Sequence, residues 1–254
     1  MMKKLLFFLL FAVFTMGISA QPPMKKCPTC GLSIPKCQYK GKHPKKKPTT
    51  TTPAHQQPSK PVKHQPTPQP SEPTTGTING YDWVDLGLSV KWATKNVGAS
   101  SQSDHGDYFA WGETNTKSSY KEDNSRTYKK KLDDIAGNSQ YDPARSRWGS
   151  PWRLPTEWEY KELVDKCTWT WTSQGGHNGY RITSKTNGNS IFLPAAGKFY
   201  GTSLDAVGEY GFYWSSTPDE SDTKWAYRRC FSLSYQDVLW GERYSGYSVR
   251  PVSE

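Results

Sequence analysis

Three cysteines and one histidine near the N-terminus have the spacing of a metal site. Cys27, Cys30, Cys37 and His43 follow the pattern C-x2-C-x6-C-x5-H. A close pair of thiolates grips one ion from a tight turn, and a third thiolate with an imidazole completes a tetrahedral zinc shell. Lysines crowd the same segment, and their charge favours thiolate over thiol. We therefore expect zinc as a cofactor here. A disulfide, which is usual in exported proteins, and free thiols are the alternatives.

A second group of side chains able to hold a ligand lies near the C-terminus, where aromatic residues and arginines are interleaved between positions 217 and 247. Large rigid aromatic area with bidentate hydrogen bonding from arginine is typical of binding hot spots. We expect ligand contacts from Trp225, Tyr227, Arg228, Arg229, Tyr235, Gln236, Asp237, Trp240, Glu242, Tyr244 and Tyr247. The alternative is that part of this set fills the core. Alternation along the predicted strand places Phe231 and Leu233 inward, and we expect Arg250 to be structural.

Reactive groups elsewhere are sparse. Cys167 falls on the buried stripe of a predicted helix, and so is expected to be a core residue. His105 and His177 stand in polar or glycine-containing loops, and no motif ties a nucleophile to either of them. The acidic residues at 219–222 match no known glycosidase or calcium spacing and are expected to form a solvated loop. We therefore expect no catalytic residue and a protein that is not an enzyme.

The positive charge of the chain is confined to its N-terminal part. The whole chain carries +10, but residues 1–75 hold 12 lysines and one glutamate, whereas residues 76–254 hold 21 basic and 22 acidic residues. All 11 tryptophans and 14 of the 15 tyrosines lie in the second part, which predicts one folded domain there. A nucleic-acid-binding domain would carry its basic residues on that folded part, so nucleic acid is not expected as a partner.

The first 20 residues have the order of a secretory signal peptide. Lys3 and Lys4 precede an apolar run at 5–16, and small residues follow at 17–20. The alternative, a membrane span, needs about 20 apolar residues. We expect cleavage after Ala20 and a mature chain without a transmembrane segment. Its destination is the periplasm, the cell surface or the medium.

Between the signal peptide and the domain we expect two segments. Residues 21–43 form the basic, cysteine-containing segment that holds the zinc candidates. Residues 44–75 consist mostly of Pro, Thr, Lys and Gln with no recurring apolar residue, which is typical of a disordered, semi-rigid spacer. The lysines of this tail would attract an anionic envelope surface.

The domain at 76–254 is expected to belong to the α+β class. A capping box of Thr156 and Glu159 predicts a helix over 156–167, in which Tyr160, Leu163, Val164 and Cys167 form one buried stripe. We also expect a helical turn at 142–148, a long loop at 112–141, and short strands at 81–86, 89–94, 107–111, 168–172, 180–183, 190–193, 210–216, 225–233, 238–240 and 247–252.

Four segments in fixed order carry a resemblance to a known family. They are WVDLGLSVKWA at 83–93, WRLPTEWE at 152–159, GFYWSS at 211–216 and SVRPV at 248–252. The chain from about residue 80 resembles the Fibrobacter succinogenes major paralogous domain, within the C-type lectin-like and formylglycine-generating-enzyme-like fold. The resemblance implies neighbouring N- and C-terminal strands. It also implies kinship with the variable proteins of diversity-generating retroelements, which display a binding face ahead of the final strand.

The same resemblance limits the chemistry that we expect. Formylglycine-generating relatives hold copper with two cysteines near the C-terminus, whereas Cys230 stands alone here, so that activity is not carried over. The expected function is an exported binding protein that engages a surface protein or a glycan through the aromatic and arginine-rich face. A catalytic role, as a degenerate oxidase or a polysaccharide-active enzyme, and a structural role in the cell envelope are the alternatives.

Overall fold

A computed structural model describes residues 74–254 of the chain. Twelve strands and two helices occupy this region. The strands are β1 (Thr75–Ile78), β2 (Tyr81–Val84), β3 (Lys91–Ala93), β4 (Cys167–Gln174), β5 (His177–Ser184), β6 (Ser190–Pro194), β7 (Lys198–Tyr200), β8 (Ser203–Asp205), β9 (Tyr210–Pro218), β10 (Trp225–Ser232), β11 (Tyr235–Glu242) and β12 (Val252–Ser253). The helices are α1 (Pro143–Trp148) and α2 (Glu157–Lys166), with a single 3-10 turn at Glu122–Asn124. This content confirms the α+β class.

The two ends of the described domain share one sheet. Its order is β1-β2-β3-β12, so the last strand pairs antiparallel with β3 and places Val252 opposite Trp92. Both of these side chains are fully buried. The pairing fastens the C-terminal strand to the strands that open the domain.

Two three-stranded meanders and one small hairpin complete the sheets. β4, β5 and β6 form one meander, β9, β10 and β11 form the other, and β7 pairs with β8. All of these pairings are antiparallel. Helix α2 packs against β4, β9, β10 and β11. The helix thus joins both meanders and stands beside the strand pair β10–β11.

The predicted helix is confirmed together with its N-terminal signal. The Thr156 side chain accepts the backbone N–H of Glu159, and the Glu159 side chain accepts the backbone N–H of Thr156. Arg153 also donates to both carboxylate oxygens of Glu159, at 2.6 and 2.9 Å. Such a two-pronged contact orients a carboxylate more firmly than a single hydrogen bond does. Tyr160 and Leu163 are buried as expected.

Aromatic side chains from the segments that carry the family resemblance fill much of the core. In the segment at 211–216, Tyr213 and Trp214 are almost completely buried, as is Trp152 in the segment at 152–159. Arg250 has a structural role, as predicted. Its guanidinium donates to the backbone carbonyls of residues 93, 94 and 192 and to Asn96 Oδ1, at 2.9–3.1 Å.

Several predicted elements need correction. The strand expected at 107–111 is reduced to one bridge between Phe109 and Tyr247. The strand expected at 247–252 is confined to β12 and isolated bridges. Leu233 was predicted to point inward, but it is 69% exposed because β10 ends at Ser232 and Leu233 lies in the two-residue turn before Tyr235. Strands β1, β7 and β8 were not predicted.

The predicted signal peptide, the cysteine-containing segment with Cys27, Cys30, Cys37 and His43, and nearly all of the predicted spacer lie outside the described residues. Strand β1 begins at Thr75, the last residue assigned to that spacer. Within residues 74–254, no helix has the length and apolar character that a membrane crossing requires.

Candidate functional site

A groove of about 420 Å³ lies between α2 and the strand pair β10–β11. Helix α2 supplies one wall, from Trp158 to Lys166, and β11 supplies the other, from Gln236 to Val238. Arg229 of β10 lies between them. This volume is within the range of sites for small molecules, which is about 300–1,000 Å³.

The register of the hairpin decides which side chains face α2. Arg229 is opposite Val238, and Tyr227 is opposite Trp240. Directly paired residues in an antiparallel sheet point to the same face. The Lys161 ammonium on α2 lies 5.9 Å from the centre of the Tyr227 ring, so this face is the one that the helix covers. Trp240 therefore extends the groove face along the hairpin.

Arg229 forms the floor. Its side chain is only 1% exposed. The guanidinium lies 4.5 Å from the centre of the Trp169 ring, and its Nη2 donates to Gln236 Oε1 at 2.7 Å. Among the described residues its Nε has no acceptor. Burial lowers the pKa of Arg229 to about 10, so the side chain is still charged at neutral pH.

Two exposed tryptophans lie near this floor, Trp158 in the lining of the groove and Trp240 farther along the same face of the hairpin. Trp158 in the first turn of α2 is 70% exposed, and Trp240 on β11 is 51% exposed. The Lys161 ammonium lies 4.3 Å from the centre of the Trp158 ring. Lys161 also forms an ion pair with Glu157 at 2.8 Å, which holds it beside the ring. Exposed indoles on a folded surface are unusual and favour a contact role.

Three acidic residues, Glu162, Asp165 and Asp237, border the groove, and two of them accept hydrogen bonds from other groups. Glu162 accepts hydrogen bonds from the backbone N–H and the hydroxyl of Ser89. Asp237 accepts the backbone N–H of Val238 at 2.7 Å. Among the described residues, neither forms an ion pair with Arg229. The Arg229 guanidinium therefore forms no direct ion pair within the described residues, although three carboxylates border the same groove.

The other predicted contact residues lie away from the groove floor. Tyr235 is 40% exposed at the start of β11, beside the hairpin turn. Arg228 points to the opposite face of β10, where its guanidinium lies 4.9 Å from the centre of the Phe212 ring and 5.5 Å from that of Tyr247. Tyr247 itself is buried.

The far end of the hairpin is largely internal. Trp225 is half-buried and lies opposite the half-buried Glu242. Tyr244 is buried and packs edge-on against Tyr128. Six of the predicted contacts thus alternate onto the face toward α2, and Asp237 borders the groove: Trp225, Tyr227, Arg229, Gln236, Trp240 and Glu242. Tyr244 and Tyr247 are buried, and neither lines this groove.

A separate pair of histidines meets on another side of the domain. Nδ1 of His177, at the start of β5, lies 3.0 Å from Nε2 of His105. The two rings pack edge to face with centres 4.5 Å apart. Burial, followed by repulsion from His177, lowers the pKa of His105, and Asp104 acts weakly in the opposite direction. No local pattern in the chain predicts that these two histidines meet.

The cysteines of the domain are both buried and free. Burial raises the pKa of the Cys167 thiol to about 11, which makes it a poor nucleophile at neutral pH. Cys230 lies on the face of β10 opposite to the groove and packs in the core. Within residues 74–254, no cluster of three or more His, Cys, Asp or Glu side chains is arranged to hold a metal ion.

One family of known proteins matches the part of the chain that contains the strands of this site. A family described as a domain of unknown function (DUF8237) matches residues 177–252. The matched segment contains β10 and β11 but not α2. No curated protein and no solved structure matches the chain.

Sequence reasoning missed the helical wall of the groove. Trp158 and Lys161 lie about 70 residues before β10, so no local pattern joins them to Arg229. One signal was available. Trp158 falls outside the stripe of Tyr160 and Leu163, and a tryptophan on the polar face of an amphipathic helix indicates a surface with a function.

Proposed function

We propose that this chain is an exported binding protein that captures a glycan or a surface protein through the groove between α2 and β10–β11. The observation that carries the proposal is the pair of exposed indoles near the buried, charged Arg229: Trp158 lines the groove, and Trp240 lies on the same face of the hairpin as Arg229. Aromatic rings beside an arginine supply contact area and directional hydrogen bonds at low entropic cost.

The proposal includes a C-type lectin-like fold. Its support is the resemblance of the four sequence segments and the pairing of β3 with β12, which is the neighbouring arrangement of terminal strands that the resemblance implies. In this proposal the signal peptide directs export, the cysteine-containing segment binds zinc, and the basic tail contacts an anionic envelope.

Binding is favoured over catalysis by the way the reactive side chains are placed. His105 and His177 contact each other, and Cys167 and Cys230 are buried. None of these four side chains borders the groove. The groove itself offers aromatic surface and charge, which suit recognition.

The test is a comparison of purified variants of the whole protein on a glycan array and on intact bacterial cells. The double variant Trp158→Ala, Trp240→Ala is expected to lose at least about tenfold in ligand capture. Its melting temperature should change little, because both side chains are exposed. Tyr200→Ala is the matched control, since Tyr200 is 51% exposed but lies on β7, away from the groove. Loss of capture in the Tyr200 variant alone would refute the assignment of the groove.

A further inference from the structure

Three arginines of the domain, Arg229, Arg243 and Arg250, are almost completely buried, and they differ in how their charge is compensated. Arg250 donates to three backbone carbonyls and to Asn96, and Arg243 donates to the backbone carbonyls of residues 127, 130 and 225. Arg229 donates to one neutral amide oxygen, that of Gln236, and its Nε has no acceptor among the described residues. Arg229 is also the member of this set that borders the groove.

Within residues 74–254, the buried Arg229 guanidinium lacks a directly bonded group of opposite charge. Removing a charge from water costs free energy unless an opposite charge or a full set of acceptors replaces the lost hydration. Glu162, Asp165 and Asp237 border the groove, but none of them forms a direct ion pair with Arg229 among the described residues. An anionic group from a ligand would therefore meet a receptor that the protein itself leaves unneutralised.

We propose that the groove takes the carboxylate of an acidic saccharide, a uronic acid unit of a polysaccharide, with Arg229 as its receptor. This inference rests on the proposed function and names its ligand class. Gln236 marks where the carboxylate binds, because its amide oxygen already lies 2.7 Å from Nη2. The Gln236 side chain is exposed on an edge strand, so it can turn away. A carboxylate in its place forms charge-assisted hydrogen bonds, which are about twice as strong as neutral ones.

The rest of the groove suits a sugar ring. Its volume of about 420 Å³ is within the range of small-ligand sites. The exposed indole of Trp158 offers an apolar wall on which the C–H face of a pyranose stacks. Lys166 stands on the same helix and adds positive charge at the rim beside Asp165, whereas the Lys161 ammonium is paired with Glu157.

The experiment uses Gln236, because substitution of the buried Arg229 risks the fold. Gln236→Glu places an internal carboxylate at the guanidinium and so competes with the ligand, whereas Gln236→Ala removes the amide without adding charge. The whole protein and both variants are titrated by calorimetry with oligogalacturonate, alginate and hyaluronate oligosaccharides. Each acidic oligosaccharide is paired with its carboxyl-reduced neutral counterpart.

The wild type is expected to bind at least one acidic oligosaccharide at least about tenfold more tightly than its neutral counterpart. Gln236→Glu should weaken that binding by about tenfold or more without lowering the melting temperature, and should weaken it more than Gln236→Ala does, because only the glutamate adds a competing charge. Equal affinity for acidic and reduced sugars would overturn the acidic-sugar assignment and leave the binding function standing. Unchanged acidic-sugar binding in Gln236→Glu, absence of binding to the whole panel, or selective binding of a peptide C-terminal carboxylate would also overturn it.

Discussion

His177 and His105 contact each other through ring nitrogens 3.0 Å apart, although 72 residues separate them in the chain. One nitrogen must donate and the other must accept, so the contact needs at least one neutral ring. The contact joins the turn that opens β5 to the loop around Gly106. The packing of these two segments against each other therefore depends on the protonation state of the two histidines.

Because of the histidine pair, we predict that the thermal stability of the domain falls in mild acid. Burial, and then repulsion from His177, lowers the pKa of His105 from its ordinary 6.5. The neutral form is thus favoured in the folded state, so this contribution is complete above about pH 6.5 and is lost as the pH falls through the folded pKa. The melting temperature should drop between about pH 7.5 and pH 5, and the drop should be smaller in His105→Gln. An equal drop in both proteins would show that other groups cause it.

Asp142 is predicted to hold the start of α1 in place. Its carboxylate accepts four backbone N–H groups, from Gly137, Ala144, Arg145 and Leu154, at 2.8–3.2 Å. Asp142→Asn turns one acceptor into a donor that faces these N–H groups. We expect a loss of about 2–3 kcal/mol in the free energy of unfolding, measured with urea.

The control for this experiment lies on the surface of the 3-10 turn. Asp123→Asn removes the same charge from an exposed side chain and is expected to change the free energy of unfolding by less than about 0.5 kcal/mol. Similar effects at both positions would mean that charge, and not the hydrogen bonds of Asp142, is responsible.

The capping box of α2 is predicted to matter for stability and for the groove. Thr156→Ala removes the acceptor of the Glu159 N–H, which is 3.2 Å away, and should cost about 1 kcal/mol of unfolding free energy. Trp158 lies in the same first turn, so ligand affinity should fall as well, by less than in Trp158→Ala. Thr156→Ser keeps the hydroxyl and should restore both values. A serine variant as weak as the alanine variant would point to the lost methyl group.

Phe231 and Leu233 form a matched pair for a test of the β10–β11 hairpin. Phe231 is fully buried and stacks on Tyr213, whereas Leu233 is 69% exposed. Phe231→Ala should cost about 3–5 kcal/mol of unfolding free energy, and Leu233→Ala less than about 0.5 kcal/mol. Denaturant titration of the two variants distinguishes them. A large loss in Leu233→Ala would place this side chain in a contact that the hairpin does not show.

The elements that the sequence predicted are those with a strong local signal. Helix α2 has a capping box and a buried stripe, and α1 has Pro143 at its first position with Asp142 before it. Strand β8 has neither signal, because its three residues, Ser203–Asp205, are all exposed and show no alternation. Leu233 was misplaced because alternation does not reveal where a strand gives way to a turn.

Only the part of the candidate site that has a local sequence signal was predicted. Arg229 and Trp240 lie on one hairpin, where composition alone drew attention to them. The wall of the groove comes from α2, and only the packing of the helix against β10 and β11 brings Trp158 to Arg229. Local patterns also cannot separate Tyr227, which faces the helix, from Tyr247, which is buried on the other side.

The arrangement of the groove has a consequence for how its specificity can change. Arg229 is anchored in the interior against Trp169, so its loss would disturb the scaffold. Trp158 and Trp240 project into solvent, and their replacement leaves that anchor intact. Descendants of this chain, or libraries made from it, can therefore acquire new partners by exchanging two outer side chains while they inherit an unaltered anion receptor.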